Sequence, residues 1–337
     1  MRNLILAALV VAHLAAPAAA RAMCTCFPCD PCEIQNTGQV TFIVIEREAG
    51  IVRIIPNIQI FGTAETFALI VPTPEVPEIT PVNKALWTQV AALTAEPQQL
   101  FTSDGAGCGK EYDLAAPAEY DDGVQIISQR TVGGFIATTI RSTDPRALLG
   151  WLVTNRFKVT EAEAQVLAGY AARNWVFTAM KLDPSNPEAR RPSNGWNNSV
   201  NPVEFRYAAA DVEVPFDLMG INRSPFFPVR FYVVDDHRRQ IDGFRVNYAN
   251  RLSAKEFAAI QSSQPEVAAR LAPGRILTRL DRTFTSDDPM SGSVALAQAP
   301  SDDEVYWPNR ASAPAFPLES LVFLLVPAGL LRRRPER

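Results

Sequence analysis

The chain has 337 residues, 47% of them hydrophobic and 20% charged, with a formal net charge of −4. That is enough chain to bury a sizeable core, and the composition is that of a globular protein rather than a disordered or collagenous one. Its lysines and arginines are scattered rather than gathered into a basic stripe, which argues against a nucleic-acid partner.

The first residues, "MRNLILAALVVAHLAAPAAARA", have the order of a secretory signal. Arg2 gives a positive start, Leu4 to Ala16 is apolar, and small residues end at Ala20-Arg21-Ala22. The run is too short to span a bilayer, which takes about 20 apolar residues. Residues 1–22 are therefore expected to be cleaved, placing a chain that starts near Met23 in a periplasmic or cell-surface compartment where disulfides persist.

That chain would begin "MCTCFPCDPC", a Cys-rich segment over residues 23–33. Cys24, Cys26, Cys29 and Cys32 crowd into nine residues, and the one remaining cysteine is Cys108. A zinc site sets two cysteine pairs apart so that two turns wrap the ion, which this loop does not do. "CDPC" has redox spacing, but Pro28 and Pro31 deny it the strand and helix that motif needs. Met23 stands where a lipidated cysteine requires a small residue. Disulfides fit best, with one thiol left over and the connectivity open. Nothing in the chain calls for a bound metal or a cofactor.

A strand is expected over Gln39–Glu46, and another over Asn57–Gly62, where polar and apolar residues alternate. Phe67 to Val71 reads as a strand buried on both faces. Pro72, Pro74, Pro77 and Pro81 are expected to take the chain out of the sheet. Leu86, Val90 and Leu93 then fall at helical spacing behind Asn83, a candidate cap. Two strand segments flank Gly133-Gly134.

The middle is helical. Asp144-Pro145 opens one helix, and Thr160 with Glu163 forms a capping box that opens a second. Val166, Leu167 and Tyr170 share a face of the second. Trp175 to Leu182 returns to strand character, and a polar, proline-rich loop follows. Alternation over Val203–Tyr207, Val212–Leu218 and Phe227–Val233 then predicts three strands of an antiparallel sheet with one covered face. Ser253 and Glu256 form another capping box, and "GRILTRLDRTF" reads as a last strand. Beyond about Asp287 the chain is expected to be irregular, with a polar linker over 299–316.

Residues 317–337 are an apolar segment closed by Arg332, Arg333 and Arg334. Basic residues directly after an apolar run mark a cytoplasmic stop. This stretch is the expected membrane contact, as a single C-terminal helix or a sorting tail.

Catalytic constellations are scarce. His237 is the one histidine beyond the signal-like stretch, and it lies in "VVDDHRRQ". Asp235, Asp236 and His237 are an acid–base candidate, weighed against an ordinary charged turn between strands, which fits better. No nucleophile elbow and no dinucleotide fingerprint is present.

Several segments in order carry a resemblance: the early cysteines, "QNTGQVTFIVIE", "NIQIFGTAETFALIVPTPEVPEI", Cys108-Gly109, the "LLGWL" helix with its Tyr and "MKL" strand, "VEFRYAAADVEVPFDLMGI" and "ILTRLDRTF". Together they are similar to the uncharacterised bacterial family DUF 2330, over roughly Cys24 to Gln298. The resemblance implies an exported protein and brings no catalytic residue with it.

The expected architecture is α+β, mainly antiparallel and sandwich-like, with a packed helical pair at Asp144–Ala172. The body spans 34–298, and the sequence leaves open whether its two β-rich stretches, parted near residue 142, form one sheet or two lobes. The expected role is a non-catalytic one in the cell envelope, by display, binding or structure. An envelope hydrolase, or a thiol or metal protein working through the N-terminal cysteines, is the alternative.

Overall fold

The computed structural model describes residues 20–21, 25–28, 34–62, 67–95, 123–183, 185–186 and 202–305. Strand β1 is Ala20–Arg21 and β2 is Thr25–Pro28. A long hairpin follows, β3 (Ile34–Glu46) and β4 (Ile51–Gly62). Its turn closes on Gly50, whose φ of 62° is a conformation glycine adopts without cost. β3 starts earlier than its alternation predicts because a bulge between Asn36 and Gly38 absorbs the irregular residues.

Next come β5 (Phe67–Thr73) and β6 (Glu78–Pro81). Pro74 and Pro77 lie in the connection by which the chain leaves the sheet of β5 and joins that of β6, as expected, but Pro72 and Pro81 lie within the strands themselves. Among the described residues β2 pairs β5 from Phe67 to Ile70, and Pro72 is paired with Phe177 alone. β6, with Pro81, is the outermost strand of its sheet. Val82 N–H bonds the Pro202 carbonyl at 2.9 Å, which turns the Pro81 nitrogen toward the open edge.

Helix α1 (Ala85–Thr94) follows, and Asn83 Oδ1 accepts from the Ala85 N–H at 2.9 Å, as its position behind the apolar stripe predicts. Leu86 and Val90 are buried. β7 (Gln125–Val132) and β8 (Phe135–Arg141) form the hairpin expected around Gly133. α2 (Pro145–Thr154) is capped by Asp144 and α3 (Glu161–Ala171) by the reciprocal Thr160–Glu163 box.

β9 (Val176–Leu182), β10 (Val203–Ala208) and β11 (Val212–Pro215) come next. The alternation through Leu218 predicts a longer strand than exists. Pro215 has no N–H to extend the ladder, and the helical turn α4 (Phe216–Met219) takes over. Asp217 Oδ1 accepts there from the Leu218 N–H at 2.8 Å and from the Tyr170 hydroxyl at 2.9 Å.

The remaining elements are β12 (Phe227–Asp235), β13 (Arg239–Gln240), β14 (Arg245–Arg251), α5 (Ala254–Ser263), α6 (Pro265–Ala268), β15 (Ile276–Phe284), β16 (Ser293–Ala295) and β17 (Ala297–Gln298). The stretch after Asp287 is thus not irregular throughout. β16 pairs with β11 and β17 with β13, and partners so short leave no periodic trace in sequence.

The large sheet has the order β14-β15-β12-β3-β4-β10-β6, and a five-stranded sheet has the order β2-β5-β9-β8-β7. Pairing is antiparallel except between β3 and β12 and between β1 and β11. The fold is α+β and mainly β. The sheets pack face to face, with Ile43, Ile54, Phe205 and Phe231 of one against Val71, Phe135 and Met180 of the other. Each such fully buried side chain contributes about 1.5–3 kcal/mol.

The outer faces carry helices. α2 and α3 cover the small sheet through Trp151, Leu152, Leu167 and Tyr170 against Ile140 and Phe177. α1, α5 and α6 cover the large sheet through Leu86, Val90, Ile260 and Val267 against Phe42, Tyr232 and Leu277. Gln89 Oε1 ties α1 to α6 by accepting from the Glu266 N–H at 2.9 Å. The sequence points to the first helix layer as a pair; the second is assembled from helices far apart in the chain.

Candidate functional site

Strand alternation fixes which residues share the outer face of the large sheet. On β12, Phe231 and Val233 point into the sandwich, while Tyr232 and Val234 point toward the helices. Arg230 is in register with Tyr232 on the outer side. On β15, Leu280 points inward and Leu277 outward, which puts Arg279 and Asp281 outward with it. The helices cover the Tyr232–Leu277 part of this face. Beyond them lies an open cleft of about 610 Å³.

Arg230, Arg245, Arg279 and Arg282 line it, with Asp281, Asn247, Gln39, Gln59 and Thr283. Asp281 is the hub. One oxygen accepts from Arg230 Nε; the other accepts from Arg279 Nε and Asn247 Nδ2, both at 2.7 Å. Asn247 reaches it because β14 bulges between Val246 and Tyr248. Arg279 Nη1 also donates to the Thr94 carbonyl at 3.1 Å, at the C-terminal end of α1 where carbonyls lack helical partners.

Burial opposes the charge of Arg230, but Tyr232 and Asp281 outweigh it and hold the guanidinium charged above its ordinary value. Arg282 stacks over the Phe284 ring at 4.2 Å and donates to Asp288 Oδ1 at 3.0 Å. Arg245 is exposed and has no ion-pair partner among the described residues.

The sequence-predicted acid–base residues sit elsewhere, at the other end of β12, and their side chains diverge. Asp235 is buried; it accepts from the buried Arg239 Nε and from Arg47 Nε at 3.2 Å. Burial pushes its carboxyl up, against the Asp236 N–H, Arg47 and Arg275. Asp236 pairs with Arg275 Nε at 2.9 Å. His237 is exposed, with Nδ1 3.1 Å from Asp302 Oδ2. Although burial raises it, the Asp302 carboxyl is held below its ordinary range by the Arg238 N–H, His237 and Arg251. His237 does not line the cleft.

A second cleft of about 510 Å³ is lined by Glu163, Asp217, Asp287 and Asp288. Glu163 closes the α3 capping box, Asp217 accepts from the Leu218 N–H and the Tyr170 hydroxyl, and Asp288 accepts from Thr285 and Arg282. These three carboxylates are occupied in holding local structure.

Of the cysteines, Cys26 lies in β2, its backbone paired with that of Leu69. Cys24, Cys29, Cys32 and Cys108 lie outside the described residues, as do Arg332, Arg333 and Arg334. No group of metal-ligating side chains occurs among the described residues, and no described helix is long and apolar enough to cross a membrane.

The family model for an uncharacterised protein conserved in bacteria, DUF2330, matches residues 18–297. The chain belongs to the DUF2330 family. No curated protein matches it, and no solved structure does.

Within this DUF2330 chain, the cleft arginines were not among the residues that sequence reasoning singled out. A signal for them exists: Arg230, Arg279 and Asp281 occupy one parity of strands whose other parity is apolar. That marks an outward face, but only the sheet order brings the three together.

Proposed function

We propose that the protein is exported to the bacterial cell envelope and acts there by binding rather than by catalysis. The observation that carries the binding half is the make-up of the open cleft. Guanidinium and amide groups line it on rigid strands; its one carboxylate, Asp281, is taken up by Arg230, Arg279 and Asn247, and no histidine, cysteine or serine is among the described lining residues. Such groups recognise a ligand; they supply neither an activated nucleophile nor a general base near neutrality. Asp235, Asp236 and His237, the acid–base alternative, are each committed to a separate partner.

Export is supported by the order of residues 1–22, and membrane attachment by the apolar stretch before Arg332. Cleavage after Ala22 would remove β1 and leave β11 its other neighbour, β16. The crowded cysteines then act as a disulfide tether at the start of the chain, next to the strand β2 that docks on β5. Fractionation with mass analysis under non-reducing conditions tests this. We expect a chain beginning at Met23 in the envelope fraction, with cysteines oxidised and no metal bound. Truncation after Asp303 should release it from the membrane. A chain that keeps Met1 and stays in the cytoplasm would refute export.

A further inference from the structure

We propose that the arginine cleft on the large sheet binds an acidic saccharide, a sugar chain bearing carboxylate or phosphate groups. The lining residues include four arginines and one acid, Asp281, with Asp288 pairing Arg282 from outside the cleft, in a protein whose formal net charge is −4. The cleft is thus a local reversal of the molecule's overall sign, and such a concave patch raises the local concentration of anions.

The guanidiniums are also pre-ordered. Asp281 grips the Nε of Arg230 and of Arg279, and Arg230 Nη1 also donates to the Tyr232 hydroxyl at 3.5 Å. Phe284 supports Arg282 from below. Gly243, with φ of 75°, leaves room for that guanidinium, since a Cβ there would lie 2.5 Å from Arg282 Nη1. Arg245 completes the set with no described partner to give up. Ordering these groups before binding removes an entropic cost that the ligand would otherwise meet. Planar guanidiniums of this kind take carboxylate or phosphate oxygens in pairs.

The rest of the lining suits sugar hydroxyls. Asn247 gives its Nδ2 hydrogen to Asp281 and keeps its carbonyl oxygen as an acceptor, and Gln59 and Thr283 add polar contacts. Among the described residues no aromatic ring lines the cleft. Single-stranded nucleic acid is held by stacking its bases on such rings, so the lining disfavours it. At about 610 Å³ and open to solvent, the space takes a short run of a chain rather than a single enclosed ion.

The proposal rests on the cleft being the binding surface and not on where the protein resides; a chain retained in the cytoplasm would refute export and leave the following test intact. The purified full chain is titrated calorimetrically at low ionic strength with a short oligogalacturonate, a short teichoic-type sugar-phosphate polymer, a neutral oligosaccharide and a single-stranded DNA. Binding of either acidic saccharide, weakening as salt is raised, is expected. Arg245→Glu should weaken it about tenfold or more and Arg245→Gln by a smaller factor. Arg146→Glu, at an exposed residue on α2 in the opposite helix layer, should leave it unchanged. Binding of neither acidic probe would overturn the proposal. So would neutral sugar or DNA binding as tightly, or an equal loss in Arg146→Glu and Arg245→Glu.

Discussion

A methyl group on Gly243 would stand 2.5 Å from Nη1 of Arg282, with φ of Gly243 at 75°. The turn before β14 and the guanidinium on β15 are therefore shaped to one another, and a loop residue 39 positions away helps to aim a cleft arginine. Gly243→Ala meets both a disfavoured backbone region and a steric conflict. Unfolding in urea should show a loss of about 1–2 kcal/mol. Ligand binding should weaken along with it, because Arg282 has to move.

Asp235 and Arg239 form an ion pair with both side chains 1% exposed. Removing Asp235 leaves the buried Arg239 guanidinium with only the half-exposed Asp211 carboxylate, at 3.4 Å. Asp235→Ala should cost about 3–5 kcal/mol in chemical denaturation. The double variant Asp235→Ala, Arg239→Met should recover a large part of that, since the second change removes the stranded charge. If the double variant is no more stable than Asp235→Ala, the pair is not the source of the loss.

The Asp302 carboxyl titrates below its ordinary value of 3.8. A carboxyl depressed in the folded state contributes stability that is fully present above the unfolded value and is lost as pH falls through the folded one. Thermal melts from pH 5 down to pH 2 should therefore show a shallower acid loss in Asp302→Asn than in the unsubstituted chain. Parallel curves would show that the bonds from the Arg238 N–H, His237 and Arg251 do not favour the charged form.

Thr160 Oγ1 accepts from the Glu163 N–H, and Glu163 Oε2 accepts from the Thr160 N–H at 2.6 Å. Thr160→Ala should destabilise the protein by about 1 kcal/mol. Because neither Thr160 nor Glu163 lines the arginine cleft, ligand affinity should not change.

What the sequence discloses follows from how local each signal is. Capping boxes at Thr160 and Ser253 and the Asp144-Pro145 start are written in three or four neighbouring residues, and all three open helices in the structure. Alternation in Phe227–Asp235 reports a strand with a side to each layer. The helical turn at Phe216–Met219 shares the period-two pattern of a strand, and Pro215, which cannot donate to the ladder, decides against it. β16 and β17 are too short to have a period, and exist through their partners β11 and β13. The cleft is the least legible feature. Arg230, Asn247, Asp281 and Arg282 are spread over three strands, and their meeting depends on β14, β15 and β12 lying side by side. Asp235, Asp236 and His237 show the reverse: adjacent in sequence, they turn to Arg239, Arg275 and Asp302, because successive residues at a strand end face different ways.

The most direct test of the cleft's role is a crystal structure of the chain soaked with a short oligogalacturonate or the sugar-phosphate polymer. Acidic groups of the ligand should lie within hydrogen-bonding distance of the Arg245 and Arg282 guanidiniums, with Asp281 still bound to Arg230 and Arg279. Ligand seated at His237 and Asp302, or in the acidic cleft at Asp287, with the arginine cleft empty, would contradict it.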